Sequence, residues 1–110
     1  MAKQFSKRPP DAIVVAVDFG PRPGDTGALN PGETVVASNA RGSLGVVATD
    51  SAGTDVSATL LEGAPWVVAG SRVAFWLLGG VAGPYYRLEI TAPTSHGELL
   101  SDRVALEVLP

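Results

Sequence analysis

In the second half of the chain, apolar side chains recur at every second position in four separate segments. The segments are residues 55–60, 72–78, 86–91 and 103–108. In residues 72–78, for example, Val73, Phe75 and Leu77 share one side of an extended chain. This period of two is typical of half-buried antiparallel strands. A helical period of 3.6 would set Arg87 and Glu89 inconsistently against the core, so the pattern predicts strands rather than helices.

The first half of the chain adds three further apolar segments, which predict three more strands. They are residues 12–19, 33–39 and 44–49. The 13 Gly and 9 Pro among 110 residues favour frequent turns between short strands. About seven strands in one domain predict an all-β fold, an immunoglobulin-like antiparallel β-sandwich with Greek-key connections. A small barrel is the alternative. The chain has no cysteine and therefore lacks the Cys…Trp…Cys pattern of antibody domains, so the patterning predicts the architecture only.

The N-terminal residues 1–11 are predicted to form an extended arm, followed by the sandwich domain at 12–110. Lys7 and Arg8 give the arm positive charge, and two prolines exclude a helix. Phe5 is its only large apolar side chain. The arm is either a frayed terminus or an extended segment that places Phe5 on a neighbouring subunit. On this interpretation, deletion of residues 1–10 leaves the sandwich folded and weakens assembly.

The glycines at 79, 80 and 83 precede the strand predicted at 86–91. No helix N-terminus follows them, as a phosphate-binding loop requires, so they predict a tight connection with positive φ angles. Tyr86 faces inward by the alternation of its strand. Its position predicts a tyrosine corner, in which the hydroxyl binds a neighbouring backbone group.

The composition excludes several classes of function. Without cysteine there is no thiolate nucleophile, disulfide or cysteine-ligated metal. Eight basic residues against eleven acidic ones give no excess of positive charge for binding nucleic acid. The apolar run at 12–17 is too short for a signal peptide or a membrane span, so a cytoplasmic, soluble product is expected.

Candidate sites for catalysis or metal binding are weak. The single histidine, His96, lies in a polar connection, and the adjacent Ser95 is expected to point away from it. Residues 50–55 carry oxygen ligands around Gly53 but lack the spacing of an EF-hand, so they predict a turn in which an Asp side chain binds the backbone. We therefore expect no enzyme activity, no metal site and no cofactor.

Trp66 and Trp76 are the two tryptophans of the chain. Trp76 falls opposite the predicted core face of its strand, and Trp66 lies in a loop or edge segment. Either side chain can be core or an interface anchor, because tryptophan is common in both settings. The small number of charged residues favours at least one of them contacting a partner.

Three groups of residues resemble a family of phage structural proteins. The first is Lys-x-Phe-x-Lys-x-Pro-x-Asp at 3–11, and the second is Trp-Leu-Leu-Gly-Gly-Val-Ala-Gly-Pro-Tyr-Tyr at 76–86. The third is Ile-Thr-x-x-Thr-Ser-x-Gly at 90–97, followed by a closing strand. With a strand ending in Asp18 and Gly-Asp-Thr at 24–26, this order is similar to the small fibre-tail adaptor family of phages.

The resemblance implies a virion protein of the tail or head-tail connector, assembled in the host cytoplasm, that forms a ring and attaches tail fibres. Its implied partners are neighbouring copies, portal, connector or tail-tube proteins, and fibre proteins, without nucleic acid or membrane. From the residues themselves, the expected partner-binding set is Phe5, Lys7, Arg8, Arg22, Trp66 and Trp76. A capsid-decoration or surface-binding immunoglobulin-like module is the alternative.

Overall fold

A computed structural model describes residues 3–8, 10–20, 29, 32–83 and 85–110. Within these residues the chain forms nine strands and one short helix. In chain order they are β1 Lys3–Lys7, β2 Ile13–Asp18, β3 Ser38–Asn39, β4 Gly42–Ser43, β5 Gly45–Thr49, α1 Ser57–Leu60, β6 Leu61–Val68, β7 Arg72–Leu77, β8 Tyr85–Pro93 and β9 Leu99–Val108. The predicted all-β class is confirmed.

The strands form two main sheets and a small hairpin. One sheet has four strands in the order β1-β9-β8-β5, and the other has three in the order β2-β7-β6. The hairpin pairs β3 with β4. Neighbouring strands are antiparallel throughout, except that β1 runs parallel to β9. The immunoglobulin-like type stays a prediction.

The inner faces of the two main sheets share one hydrophobic core. From the three-stranded sheet, Val17, Val73 and Leu77 are fully buried, and from the four-stranded sheet so are Leu88 and Leu106. On β7 and β8 the buried positions include the alternating sets predicted from the sequence. Period-two patterning therefore identifies the inner faces of these strands correctly.

The strand predicted at residues 55–60 is wrong. A turn leads into the helix Ser57–Leu60 instead. The next strand is β6, which lies at the edge of its sheet and includes residues 66–68, so the edge-segment alternative for Trp66 agrees with the structure. The Asp55 carboxylate accepts the Ser57 N–H at 2.9 Å, and Ser57 Oγ accepts the Ala48 N–H at 2.9 Å. These local bonds compete with a strand ladder, as Asp and Ser side chains often do.

An N-terminal arm separate from the sandwich is not confirmed, because Lys3–Lys7 is a strand of the four-stranded sheet. Phe5 lies opposite Leu106 in the parallel pairing with β9 and packs against the core. Lys7 lies opposite Val108 and is 3% exposed. Residues 3–7 are extended, as expected, but they belong to the sheet of the domain itself.

The connection from β7 to β8 has the conformation predicted from its glycines. Gly79, Gly80 and Gly83 have φ angles of 54°, 93° and 107°. A Cβ atom at Gly80 would lie 2.8 Å from Cγ2 of Val108, so this position needs glycine for space as well as for φ. The Tyr86 hydroxyl accepts the Val81 N–H at 3.0 Å, which confirms the predicted backbone contact of this tyrosine.

Replacing Tyr86 with Phe is expected to lower the free energy of unfolding by about 1 kcal/mol, because the partly buried Val81 N–H loses its acceptor. Tyr85→Phe is the matched control: the Tyr85 side chain is exposed and its hydroxyl lies 3.4 Å from Glu107 Oε2. Urea denaturation of both variants measures the difference. Equal midpoints would contradict a stabilising role for the Tyr86 hydroxyl.

Candidate functional site

The outer face of the three-stranded sheet carries an apolar surface centred on the two tryptophans. On β7 the inner face takes Val73, Phe75 and Leu77, so Arg72, Ala74 and Trp76 point outward. Trp76 is opposite Val14 on β2, and Ala74 is opposite Ala16 on β2 and Trp66 on β6. We call this surface the tryptophan face, and it comprises Val14, Ala16, Trp66, Val68, Ala74 and Trp76.

The large side chains of the tryptophan face are partly exposed to solvent, whereas the alanine at its centre is buried. Trp66 and Trp76 are each 39% exposed, and Val14 is 47% exposed. Ala74 is only 2% exposed although it points outward, because its larger neighbours cover it. The two indoles therefore belong to one apolar surface, with the buried Ala74 beside both of them.

A β-bulge in β6 sets the position of Trp66. Glu62 pairs with Trp76 and Trp66 pairs with Ala74, so four steps along β6 match two steps along β7. Gly63, inside the bulge, has a φ of 69°, which glycine adopts without strain. Without the bulge, the register from Glu62 would place Trp66 opposite Arg72; with it, Trp66 lies opposite Ala74, two positions along β7 from Trp76. Alternation alone does not predict this juxtaposition.

The outer face of the four-stranded sheet is different in character. It carries Tyr85, Arg87 and Glu89 on β8 and Arg103 on β9, all exposed. Arg103 Nε lies 3.2 Å from Glu89 Oε2. The exposed tryptophans of the chain thus lie on the outer face of the three-stranded sheet, beside the ion pair of Arg72 Nε and Asp18 Oδ2 at 3.9 Å. Grouped, exposed aromatic and aliphatic side chains make the tryptophan face the candidate interaction surface of the described residues.

The other residues predicted to bind partners are not part of the tryptophan face. Phe5 is half-buried against the core. Arg8 is exposed, and its backbone N–H lies 3.4 Å from the Asp11 carboxylate. Arg22 falls outside the residues that the structure describes.

Lys7 has an internal position. Its Nζ donates hydrogen bonds of 2.6 Å to the carbonyl oxygens of Gly79 and Arg8. Burial lowers the pKa of Lys7 from its usual value, against the opposing effect of the Asp11 charge. With 3% of its surface exposed, Lys7 ties β1 to the β7–β8 connection and is not available to a partner in this arrangement.

The Thr-Ser-x-Gly segment of the family resemblance organises the turn between β8 and β9. Thr94 Oγ1 donates to the buried carboxylate of Glu33 at 2.6 Å, and the Ser95 N–H donates to the Thr34 carbonyl at 2.8 Å. Gly97 has a φ of 85°. His96 is exposed, with Nδ1 3.7 Å from Glu33 Oε2. These contacts hold the segment around Glu33 against the turn, which gives the motif a structural role.

The turn predicted after β5 is also confirmed. The Asp50 carboxylate accepts the N–H groups of Ala52 and Thr54, each at 2.9 Å. The pKa of the nearby Asp55 is lowered from its usual value, chiefly by the hydrogen bond from the Ser57 backbone N–H and secondarily by the hydrogen bond from the Ser57 side chain.

Within the described ranges, no group of three or more His, Cys, Asp or Glu residues is placed to hold a metal ion. Nor does any described helix have the length and apolar character to cross a membrane.

Comparison with known proteins gives one family. A family model described as "Podophage GP4 fiber-tail adaptor protein gp77" matches residues 7–107, which is nearly the whole chain. The match includes the tryptophan face, the glycine connection before β8 and the Thr-Ser-x-Gly turn. Neither the curated proteins nor the solved structures contain a match.

Proposed function

The chain belongs to the podophage GP4 fibre-tail adaptor family, and from this membership we propose that it joins tail fibres to the tail in the assembled virion. The family is one of structural phage proteins and not a class of enzyme. In this proposal, copies of the chain form a ring at the tail or head-tail connector. Portal, connector or tail-tube proteins lie on one side of the ring and fibre proteins on the other.

Beside the family membership, the structural observation that supports the proposal is the tryptophan face. An adaptor needs surfaces that become buried when it meets its neighbours, and tryptophan in an apolar surround contributes strongly to binding. Trp66 and Trp76 meet this requirement, with more than a third of each side chain exposed. We propose that this face packs against another virion subunit.

We propose Arg8 as a charged contact with a partner subunit. It is exposed and follows β1 directly, whereas Phe5 and Lys7 of that strand support the fold. The formal net charge of −3 gives no general attraction to nucleic acid, so we propose protein partners only.

Phage produced without this chain tests the proposal. An adaptor predicts particles that contain DNA and tail proteins but lack fibre protein, and that regain fibres when the wild-type chain is supplied. Quantitative mass spectrometry of purified particles measures the fibre content. Particles with a normal complement of fibres in the absence of the chain would contradict the adaptor role, whereas loss of a capsid component alone would favour a decoration protein.

A further inference from the structure

Charged residues border the tryptophan face at both ends, and at one end the charge is not neutralised within the described residues. Arg72 and Asp18 form an ion pair at the first end. At the other end, Glu62 is exposed and lies opposite Trp76, so the two side chains are on the same side of the sheet. Among the described residues, none makes a hydrogen bond or ion pair with the Glu62 carboxylate. A subunit packed on this face therefore meets two indoles and one uncompensated negative charge.

A second group of exposed apolar side chains lies where β1, the end of β9 and the β7–β8 connection meet. Val81 in that connection is 66% exposed, and Leu109 after β9 is 37% exposed. The Leu109 N–H donates to the Lys7 carbonyl at 2.7 Å, and the Lys7 ammonium donates to the Gly79 carbonyl, so the three segments are held together. Arg8 follows Lys7 and is exposed beside them. We call the surface formed by Arg8, Val81 and Leu109 the basic end.

Arg8 gives the basic end a positive charge that the described residues do not neutralise. Ser6 and Arg8 are exposed on either side of the buried Lys7, so Arg8 points to the outer side of the four-stranded sheet. Its backbone N–H and carbonyl have partners within the chain, whereas no described residue binds its guanidinium. The other described arginines either have an oxygen partner within the chain or lie on the charged outer face of the four-stranded sheet: Arg41, Arg72 and Arg103, and Arg87. Among the described arginines, Arg8 therefore combines an unpaired guanidinium with an apolar surround.

We propose that the basic end of one copy of the chain packs on the tryptophan face of a second copy, where Arg8 pairs with Glu62. The inference rests on the proposed adaptor function and names the partner of its tryptophan face. A guanidinium binds a carboxylate through paired N–H donors and an indole through cation–π attraction, so Glu62 and the neighbouring tryptophan suit an arginine. Val81 and Leu109 supply apolar surface to the same contact. The exposed Tyr85 has its hydroxyl over β9 and is not part of the contact.

The placement of the two surfaces favours a contact that repeats from copy to copy. Arg8 follows β1, an edge of the four-stranded sheet, and Glu62 lies on β6, an edge of the three-stranded sheet. Each side chain is on the outer side of its own sheet, so the two point to opposite sides of the domain. A copy that receives an arginine on one side therefore offers its own arginine on the other. Such a heterologous contact closes into a ring when the rotation between copies allows it.

Charge reversal tests the pairing in particles assembled by phage that lacks its own copy of the chain. Arg8→Glu and Glu62→Arg should each be incorporated at least about tenfold less than wild type, because each places two like charges in the contact. The double variant Arg8→Glu/Glu62→Arg restores opposite charges and should be incorporated within about twofold of wild type. Arg87→Glu, the same charge change on the charged outer face, is the matched control and should be incorporated normally. A thermal melt should show every variant folded, since these side chains are exposed.

The reversal series separates the proposed contact from the adaptor function. A double variant that is incorporated as poorly as the single ones would show that Arg8 is not the partner of Glu62, and would overturn the proposal. Normal incorporation of either single variant would overturn it as well. In both cases, particles that carry the wild-type chain and depend on it for their fibres would leave the adaptor function standing. Absence of the wild-type chain from virions would refute the adaptor function and this inference with it.

Cysteine crosslinking identifies the occupant of the tryptophan face independently, because the chain has no cysteine of its own. In virions that contain the double variant Arg8→Cys/Glu62→Cys, a short bismaleimide should join the chain into covalent dimers and longer multiples. Virions with Arg8→Cys or Glu62→Cys alone should give no multiples, since the contact joins two different surfaces. The proposal would be overturned if the double variant gave no multiples, or if it were joined to a portal, connector or fibre protein instead.

Discussion

Removal of residues 1–7 is expected to lower the free energy of unfolding by about 4 kcal/mol, because it deletes an edge strand and uncovers part of the core. The deletion removes Phe5 from its place opposite Leu106 and exposes the apolar side of β9. It also removes the Lys7 ammonium from the Gly79 carbonyl, which loses its hydrogen bond. This expectation differs from the one based on composition, in which residues 1–10 form an arm that is dispensable for folding.

Urea denaturation of the truncated and complete chains measures the loss. Two point variants separate the side-chain contribution from the effect of shortening the chain. Phe5→Ala should account for about 2 kcal/mol, since the ring is half-buried, while the neighbouring exposed Ser6→Ala should be close to neutral. A truncated chain with the denaturation midpoint of the complete one would show that β1 is not needed for the fold.

Changing both Trp66 and Trp76 to serine is expected to reduce incorporation of the chain into virions by at least about thirtyfold. A tryptophan at the centre of an interface typically contributes about 2 kcal/mol or more. At 1.4 kcal/mol per factor of ten in affinity, one such anchor accounts for about that reduction by itself. The loss should appear in assembly, because the inner face of β7, which carries the core residues, is unchanged.

Tyr85→Ser is the matched control for the tryptophan variants. Tyr85 is a 50% exposed aromatic residue on the outer face of the other sheet, so its removal should leave incorporation near the wild-type level. Circular dichroism and a thermal melt establish that each variant is folded before its content in particles is compared. Equal incorporation of the double tryptophan variant and Tyr85→Ser would contradict a role for the tryptophan face in assembly.

The sequence predicts the central strands of this fold well because their inward positions are apolar at every second residue. Residues in β7 and β8 alternate accordingly, and Tyr86 could be assigned inward with its hydroxyl on the backbone. The segment at 55–60 alternates in the same way but forms a turn and a helix. There, the local hydrogen bonds of Asp55 and Ser57 decide the conformation, and hydrophobic periodicity does not report them.

Contacts between distant parts of the chain are the features that the sequence did not reveal. The parallel pairing of β1 with β9 joins residues about a hundred positions apart. Because β1 contains two lysines, its sequence predicts a solvated arm rather than a strand of the sheet. Both tryptophans were identified as candidate anchors. Their juxtaposition depends on strand order and on the bulge after Glu62, which hydrophobic periodicity does not specify.

Oxidative footprinting of the chain, free in solution and in intact virions, tests the central claim that the tryptophan face is a contact surface in the particle. We expect Trp66 and Trp76 to be oxidised at least about tenfold more slowly in virions than in the free chain, since a hot-spot side chain is excluded from water. Tyr85, on the opposite charged face, serves as the internal reference. Oxidation of both tryptophans at the same rate in the two samples would contradict the account.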